Sequence, residues 1–241
     1  MRSIVDLKKL KQALLAAGVG MLLATAAQAN IIITEVSPWS SGSSPLEADW
    51  FELTNTGVAA VDITGWKVDD SPGTFVSSLA LTGITNIAAG ESVIFVEQAN
   101  DGEDSPLPAE YVAAFKSLWF DDNAPAGLQI GTYQGSGIGL SSSSDQVNIF
   151  NGAGTLIHGV AFGNSDAVAP LSTFDNAAGL SKPTLLTQFS AVGVNGAFAA
   201  LDGTPEIGSP GRIAVPEPAS LAMFVAAFGA LVGFANRRSA R

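Results

Sequence analysis

Cysteine is absent from the 241 residues, histidine occurs once, and Lys and Arg together number 11 against 22 acids. Without cysteine there is no disulfide and no thiolate site, so stability has to come from a packed core. A zinc site built from one histidine, His158, and carboxylates would suit zinc poorly. A Ser-His-Asp hydrolase would need His158 as its base, and no Gly-x-Ser-x-Gly turn presents a serine. Gly135-Ser-Gly-Ile-Gly139 lacks the lysine of a phosphate-binding loop and reads as flexible loop. Bases are scarcest in the middle of the chain. Between Asn30 and Pro218 only Lys67, Lys116, Lys182 and Arg212 stand against 21 acids, a net charge of −17. A surface this acidic repels nucleic acid and anionic lipid and attracts divalent cations.

What the middle lacks, the ends have. Arg2, Lys8, Lys9 and Lys11 precede an apolar run from Ala13 to Ala27, and Ala27-Gln28-Ala29 has the small-x-small form of a signal-peptidase site. The pattern predicts a Sec-type signal peptide over 1–29. Near the other end, Ala219 to Ala235 carry no charge and lead through Asn236 to Arg237-Arg238. As a helix that run is about 25 Å long, at the short end of what crosses a bilayer. The two arginines should stop on the cytoplasmic side, leaving everything upstream outside. The expected organisation is a signal peptide at 1–29, a domain at 30–212 and a linker at 213–218. A transmembrane helix at 219–236 and a basic tail at 237–241 complete it.

The middle reads as short strands bounded by turn residues. Ile31-Ile-Ile-Thr-Glu-Val36 is β-branched. Trp50-Phe-Glu-Leu-Thr54 alternates, with Phe51 and Leu53 on one face and Trp50, Glu52 and Thr54 on the other. Val61 and Ile63 alternate with Asp62, and Trp66-Lys-Val68 alternates again. Ser92-Val-Ile-Phe-Val96 is apolar on both faces, as a central strand is. Gln146 to Phe150 and Thr155 to Phe162 form a hairpin across Asn151-Gly-Ala-Gly154. One helix is expected after Pro108, with Tyr111, Phe115, Leu118 and Trp119 in a single stripe capping an end of the domain. Residues 131–144 read as a long loop, residues 163–184 show no steady period, and Leu185–Phe189 and Ala197–Leu201 are candidate edge strands.

Two resemblances rest on these residues. The tail, with Pro216-Glu217-Pro218, one apolar span and Arg237-Arg238, resembles the PEP-CTERM sorting signal of Gram-negative bacteria. That resemblance implies recognition by an exosortase-type membrane enzyme, with Pro216, Glu217 and Pro218 as the recognition element and processing near Pro218. It also implies an inner-membrane-anchored precursor and delivery to the cell surface or extracellular matrix, alongside exopolysaccharide production. The middle resembles the lamin-tail domain, which implies an all-β, immunoglobulin-like β-sandwich. The resembling pieces are Ile33-Thr-Glu-Val36, Asp49 to Gly57, Val61 to Trp66, Ala89 to Phe95, Gly139-Leu-Ser141 with Asp145-Gln-Val147, and Gly208-Ser-Pro-Gly211.

The expected function is that of an exported, non-catalytic surface or matrix protein, structural or adhesive in a biofilm, with exopolysaccharide or other surface proteins as partners. The competing expectation is a secreted hydrolase acting on polysaccharide or phosphoester through acidic loop carboxylates. Asp101, Glu103, Asp104, Asp121 and Asp122 flank the helix and are weak calcium candidates, although neither cluster has EF-hand spacing. Asp69-Asp70 reads as a pair of solvated turn acids, and His158 as a packed, hydrogen-bonded imidazole.

Overall fold

The computed structural model describes residues 30–38, 44–98, 108–135, 138–166 and 168–212. The described strands are β1 (Ile31–Ser37), β2 (Trp50–Asn55), β3 (Val61–Asp62), β4 (Lys67–Asp69) and β5 (Leu79–Ala80). Next come β6 (Asn86–Ile87), β7 (Ser92–Gln98), helix α1 (Pro108–Phe120), β8 (Ile130–Gln134), β9 (Asp145–Phe150) and β10 (Leu156–Phe162). The last part holds β11 (Leu171–Ser172), β12 (Phe174–Asp175), β13 (Leu185–Leu186), β14 (Phe198–Ala199) and β15 (Glu206–Gly208). One five-stranded sheet has the order β12-β1-β2-β7-β8 and a second has the order β13-β10-β9-β4-β5.

Alternation sorts the side chains of the first sheet between two cores. Phe51, Leu53, Val93, Phe95 and Tyr133 point toward the second sheet and meet Val68, Val147, Ile149, Val160 and Phe162 there. Trp50, Ile94 and Val96 point the other way, onto Phe115, Leu118, Trp119 and Phe120 of α1. Each such side chain, fully buried, contributes about 1.5–3 kcal/mol of hydrophobic stabilisation. Helix α1 therefore covers the outer face of the first sheet rather than an end of the sandwich, and the layers run helix, sheet, sheet. Trp50 meets Phe115 and Trp119 edge-on, at ring centroids 5.3 and 5.5 Å apart.

One further expectation is corrected, and one unassigned stretch is resolved. Part of the stretch read as a loop at 131–144 is strand β8, which runs parallel to β7. Gly131 is needed there: a Cβ would lie 2.4 Å from the Thr82 carbonyl and 2.7 Å from the Phe95 ring. The aperiodic stretch 163–184 contains β11 and β12, each two residues long, too short for periodicity to register. The β9–β10 hairpin forms as read, with Asn151 Oδ1 accepting the amides of Ala153 (3.0 Å) and Thr155 (2.9 Å). Strand β7 is central, between β2 and β8, and β13 is an edge.

Candidate functional site

On the outer face of the first sheet, beside α1, lie two glutamates, each at 0% exposure: Glu35 on β1 and Glu52 on β2. A β-bulge puts them together. The pairing of β1 with β2 shifts between Ile33 and Glu35, so that Ile33 faces Leu53, Glu35 faces Glu52, and Thr34 is the extra residue. Strict alternation from Ile31 and Ile33 would have turned Glu35 into the inter-sheet core. The bulge sends it outward and returns Val36 to that core.

The last described segment closes over the pair. Glu35 Oε1 accepts the Ser209 amide at 2.7 Å and also the Thr173 hydroxyl, and Oε2 accepts the Ser209 hydroxyl at 3.1 Å. Glu52 Oε2 accepts the Gly211 amide at 2.6 Å, and its Oε1 accepts the Thr34 hydroxyl at 2.6 Å. Gly208 has no room for a side chain, since a Cβ would sit 2.7 Å from Glu35 Oε1 and 2.8 Å from Trp119 Cη2. Gly211 adopts φ 67, the left-handed region that favours glycine. The two carboxyls thus clasp Gly208-Ser-Pro-Gly211 against strands that lie more than 150 residues earlier in the chain.

Neither carboxyl has a cationic partner among the described residues, so burial dominates its titration. It pushes Glu35 well above the ordinary glutamate value, and the neighbouring Glu52 adds to the rise. Burial raises Glu52 too, against the lowering effect of its hydrogen bonds from Thr34 and Gly211. A third acid, Glu206 on β15, is pushed up to about 7 by burial, with Ser44 donating to its Oε1 and no partner on Oε2 among the described residues. Sealed from solvent and saturated with internal donors, the Glu35–Glu52 pair can hold a segment and bind protons. It offers no open cleft of the kind that glycoside hydrolysis needs between two carboxyls.

Of the residues singled out in the sequence, His158 lies at the sheet–sheet contact, where its Nδ1 accepts the Ile33 amide at 3.2 Å. Burial lowers its pKa, against a raising hydrogen bond at Gly179. Asp121 and Asp122 come after the end of α1 with φ 46 and 60, both exposed. Among the described residues no group of three or more His, Cys, Asp or Glu is placed to hold a metal ion. Asp69 accepts from the Thr74 amide and the Ser77 hydroxyl, while Asp70 is pushed up to about 6 by burial and by Asp145 and Asp69. Trp119 is fully buried and holds the helix to the sheet. Asp101, Glu103, Asp104, Ala27, Ala29, Pro216, Glu217, Pro218, Arg237 and Arg238 lie outside the described residues, as do the predicted signal peptide and transmembrane segment. No helix among the described residues is long and apolar enough to cross a membrane. Sequence reading missed the clasp. Its one signal was an acid in the middle of each of two strands whose other residues are mostly apolar.

Two packed sheets with one helix on an outer face define an immunoglobulin-like β-sandwich protein. The sequence model of the lamin tail domain matches residues 24–164, more than half of the chain, and the chain belongs to that family. No curated protein matches it. The matched residues stop before β11, so Thr173, Glu206 and the Gly208–Gly211 segment lie beyond them.

Proposed function

We propose that this chain is an exported, non-catalytic surface or matrix protein whose sandwich serves a structural or adhesive role. In this reading an exosortase-type enzyme recognises Pro216-Glu217-Pro218 in an inner-membrane-anchored precursor and hands the protein to the cell surface or extracellular matrix. The carrying observation is the tripartite tail, a Pro-Glu-Pro tripeptide, an uncharged run and Arg237-Arg238 in that order. Membership in a family of non-enzymatic, immunoglobulin-like domains supports the non-catalytic part. The clasp adds a geometric reason. Gly211 is pinned by Glu52, so the tripeptide is joined to the rigid body by a tether of only a few residues.

Glu217→Ala and Pro218→Ala leave the sandwich folded, and each accumulates as unprocessed protein in the inner-membrane fraction. Normal release of both variants would overturn the sorting reading. Intact mass of the mature protein reports both terminal cleavages and any attached group. Turnover of a glycan or phosphoester by the purified full chain would overturn the non-catalytic part.

A further inference from the structure

The segment beyond the family match also builds a cleft. It lies where the edge strand β12 of the first sheet approaches the edge strand β13 of the second, and encloses about 150 Å³. Asp175, Asn176, Leu180, Leu185, Gln188 and Asn195 supply most of its wall. Asp175 is only 8% exposed. Its Oδ1 accepts the Ala177 amide at 2.8 Å and its Oδ2 accepts Asn195 Nδ2 at 2.7 Å. Each carboxylate oxygen keeps a second lone pair, and Asn195 keeps a second amide hydrogen and its own acceptor oxygen. The side chains of Gln188 and Thr187, both exposed wall residues, lie at the same cleft. One carboxylate and several neutral donors and acceptors therefore line one small space.

Two leucines of the wall are unusually exposed. Leu180 is 43% and Leu185 48% exposed, and Val192 and Val194 on the neighbouring turn are 62% and 43% exposed. Exposed aliphatic side chains gathered at a cleft with a few fixed polar groups mark a binding site. The chemistry of the wall selects the ligand. Asp175 is the only charged residue in it among the described residues, so an anion is disfavoured, and the −17 charge between Asn30 and Pro218 disfavours it further. At about 150 Å³ the cleft is well below the roughly 300–1,000 Å³ of a site for a drug-sized molecule, so it takes one ring. A compact, uncharged ring with hydroxyls on its edge and C–H groups on its face meets every condition.

We propose that this cleft binds one neutral sugar residue of a glycan, with adjacent hydroxyls shared between Asp175 and Asn195. The C–H face of the ring rests on Leu180 and Leu185, and Gln188 and Thr187 reach the remaining hydroxyls. The proposal deepens the adhesive reading above and rests on its non-catalytic part. It does not depend on the sorting signal, so the two tests fail separately.

Purified full-length protein is titrated by calorimetry with the methyl glycosides of glucose, galactose, mannose and N-acetylglucosamine, and with glucuronic acid. At least one neutral glycoside binds at one site per chain, and glucuronic acid binds at least tenfold more weakly. Gln188→Ala removes an exposed amide, and Asn195→Gly removes another at a position where φ is 47 and glycine is unstrained. Each weakens binding tenfold or more, and Gln188→Ala does so with Tm within about 2 °C of the parent. No binding of any neutral glycoside, equal binding of glucuronic acid, or unchanged binding by both variants would overturn the proposal. So would self-association that buries Leu185 and is broken by Leu185→Lys, since the cleft would then be an interface between copies of this chain.

Discussion

Glu35 and Glu52 make the stability of this domain depend on pH in an unusual direction. Both have folded-state pKa values raised above the unfolded value, so between pH 4.5 and about 8 the folded chain binds more protons than the unfolded one. Their contribution is fully present below about pH 4.5 and is lost as pH rises through that window. Glu206, pushed up to about 7, adds a loss of the same sign. His158 opposes them, because its lowered folded value makes stability rise with pH below about 6.5. The carboxyls outnumber the imidazole, so the unfolding free energy from urea titration falls from pH 5 to pH 8, by on the order of a few kcal/mol at about 1.4 kcal/mol per pKa unit. Glu52→Gln flattens that slope, and a slope equal to the parent's would contradict the account. Gly208→Ala tests the packing beside the pair. A methyl 2.7 Å from Glu35 Oε1 and 2.8 Å from Trp119 overpacks the clasp and costs about 1–3 kcal/mol in denaturant melts.

Among elements, β1 and α1 carry the arrangement. Strand β1 would be an ordinary half-buried strand without the extra residue Thr34. With it, the strand delivers Ile31, Ile33 and Val36 to one core and Glu35 to the other side. Helix α1 makes the first sheet a two-faced one, which is why β7 is apolar on both sides. Trp119→Ala removes the ring that touches Trp50, Phe115 and Phe198. It should cost about 3–5 kcal/mol and increase dye binding to the uncovered sheet, because Trp119 is fully buried and its removal leaves a cavity between helix and sheet. A loss under about 1 kcal/mol would mean that the helix is not seated on that face.

At the scale of the whole molecule, the family match covers residues 24–164, yet the sandwich is closed by residues beyond 164. Strand β12 pairs with β1, β13 pairs with β10, and Thr173 and Ser209 donate to Glu35. A chain ending at residue 164 leaves two edges open and two buried carboxyls without their backbone donors. It fails to give a cooperative melt, whereas a chain ending at residue 212 melts as one unit. Cooperative folding of the shorter chain would show the later segment to be an addition.

The strands were legible in the sequence because period-two alternation is local: Phe51 and Leu53 must share a face, and Asn151-Gly152 must turn. The charge, the missing cysteines and the patterned ends are likewise written residue by residue, and they alone carry the reading of export and sorting. The buried pair was not legible. A one-residue bulge at Thr34 leaves no mark in hydropathy, and Glu35 looks as well placed for solvent as for burial. The seat of α1, the clasp of Ser209 on Glu35 and the cleft of Asp175 with Asn195 depend on contacts between residues far apart in the chain. Only the tertiary packing of the helix and the late segments against the sheets brings those residues together, because no local periodicity encodes which distant segment will cover a given face.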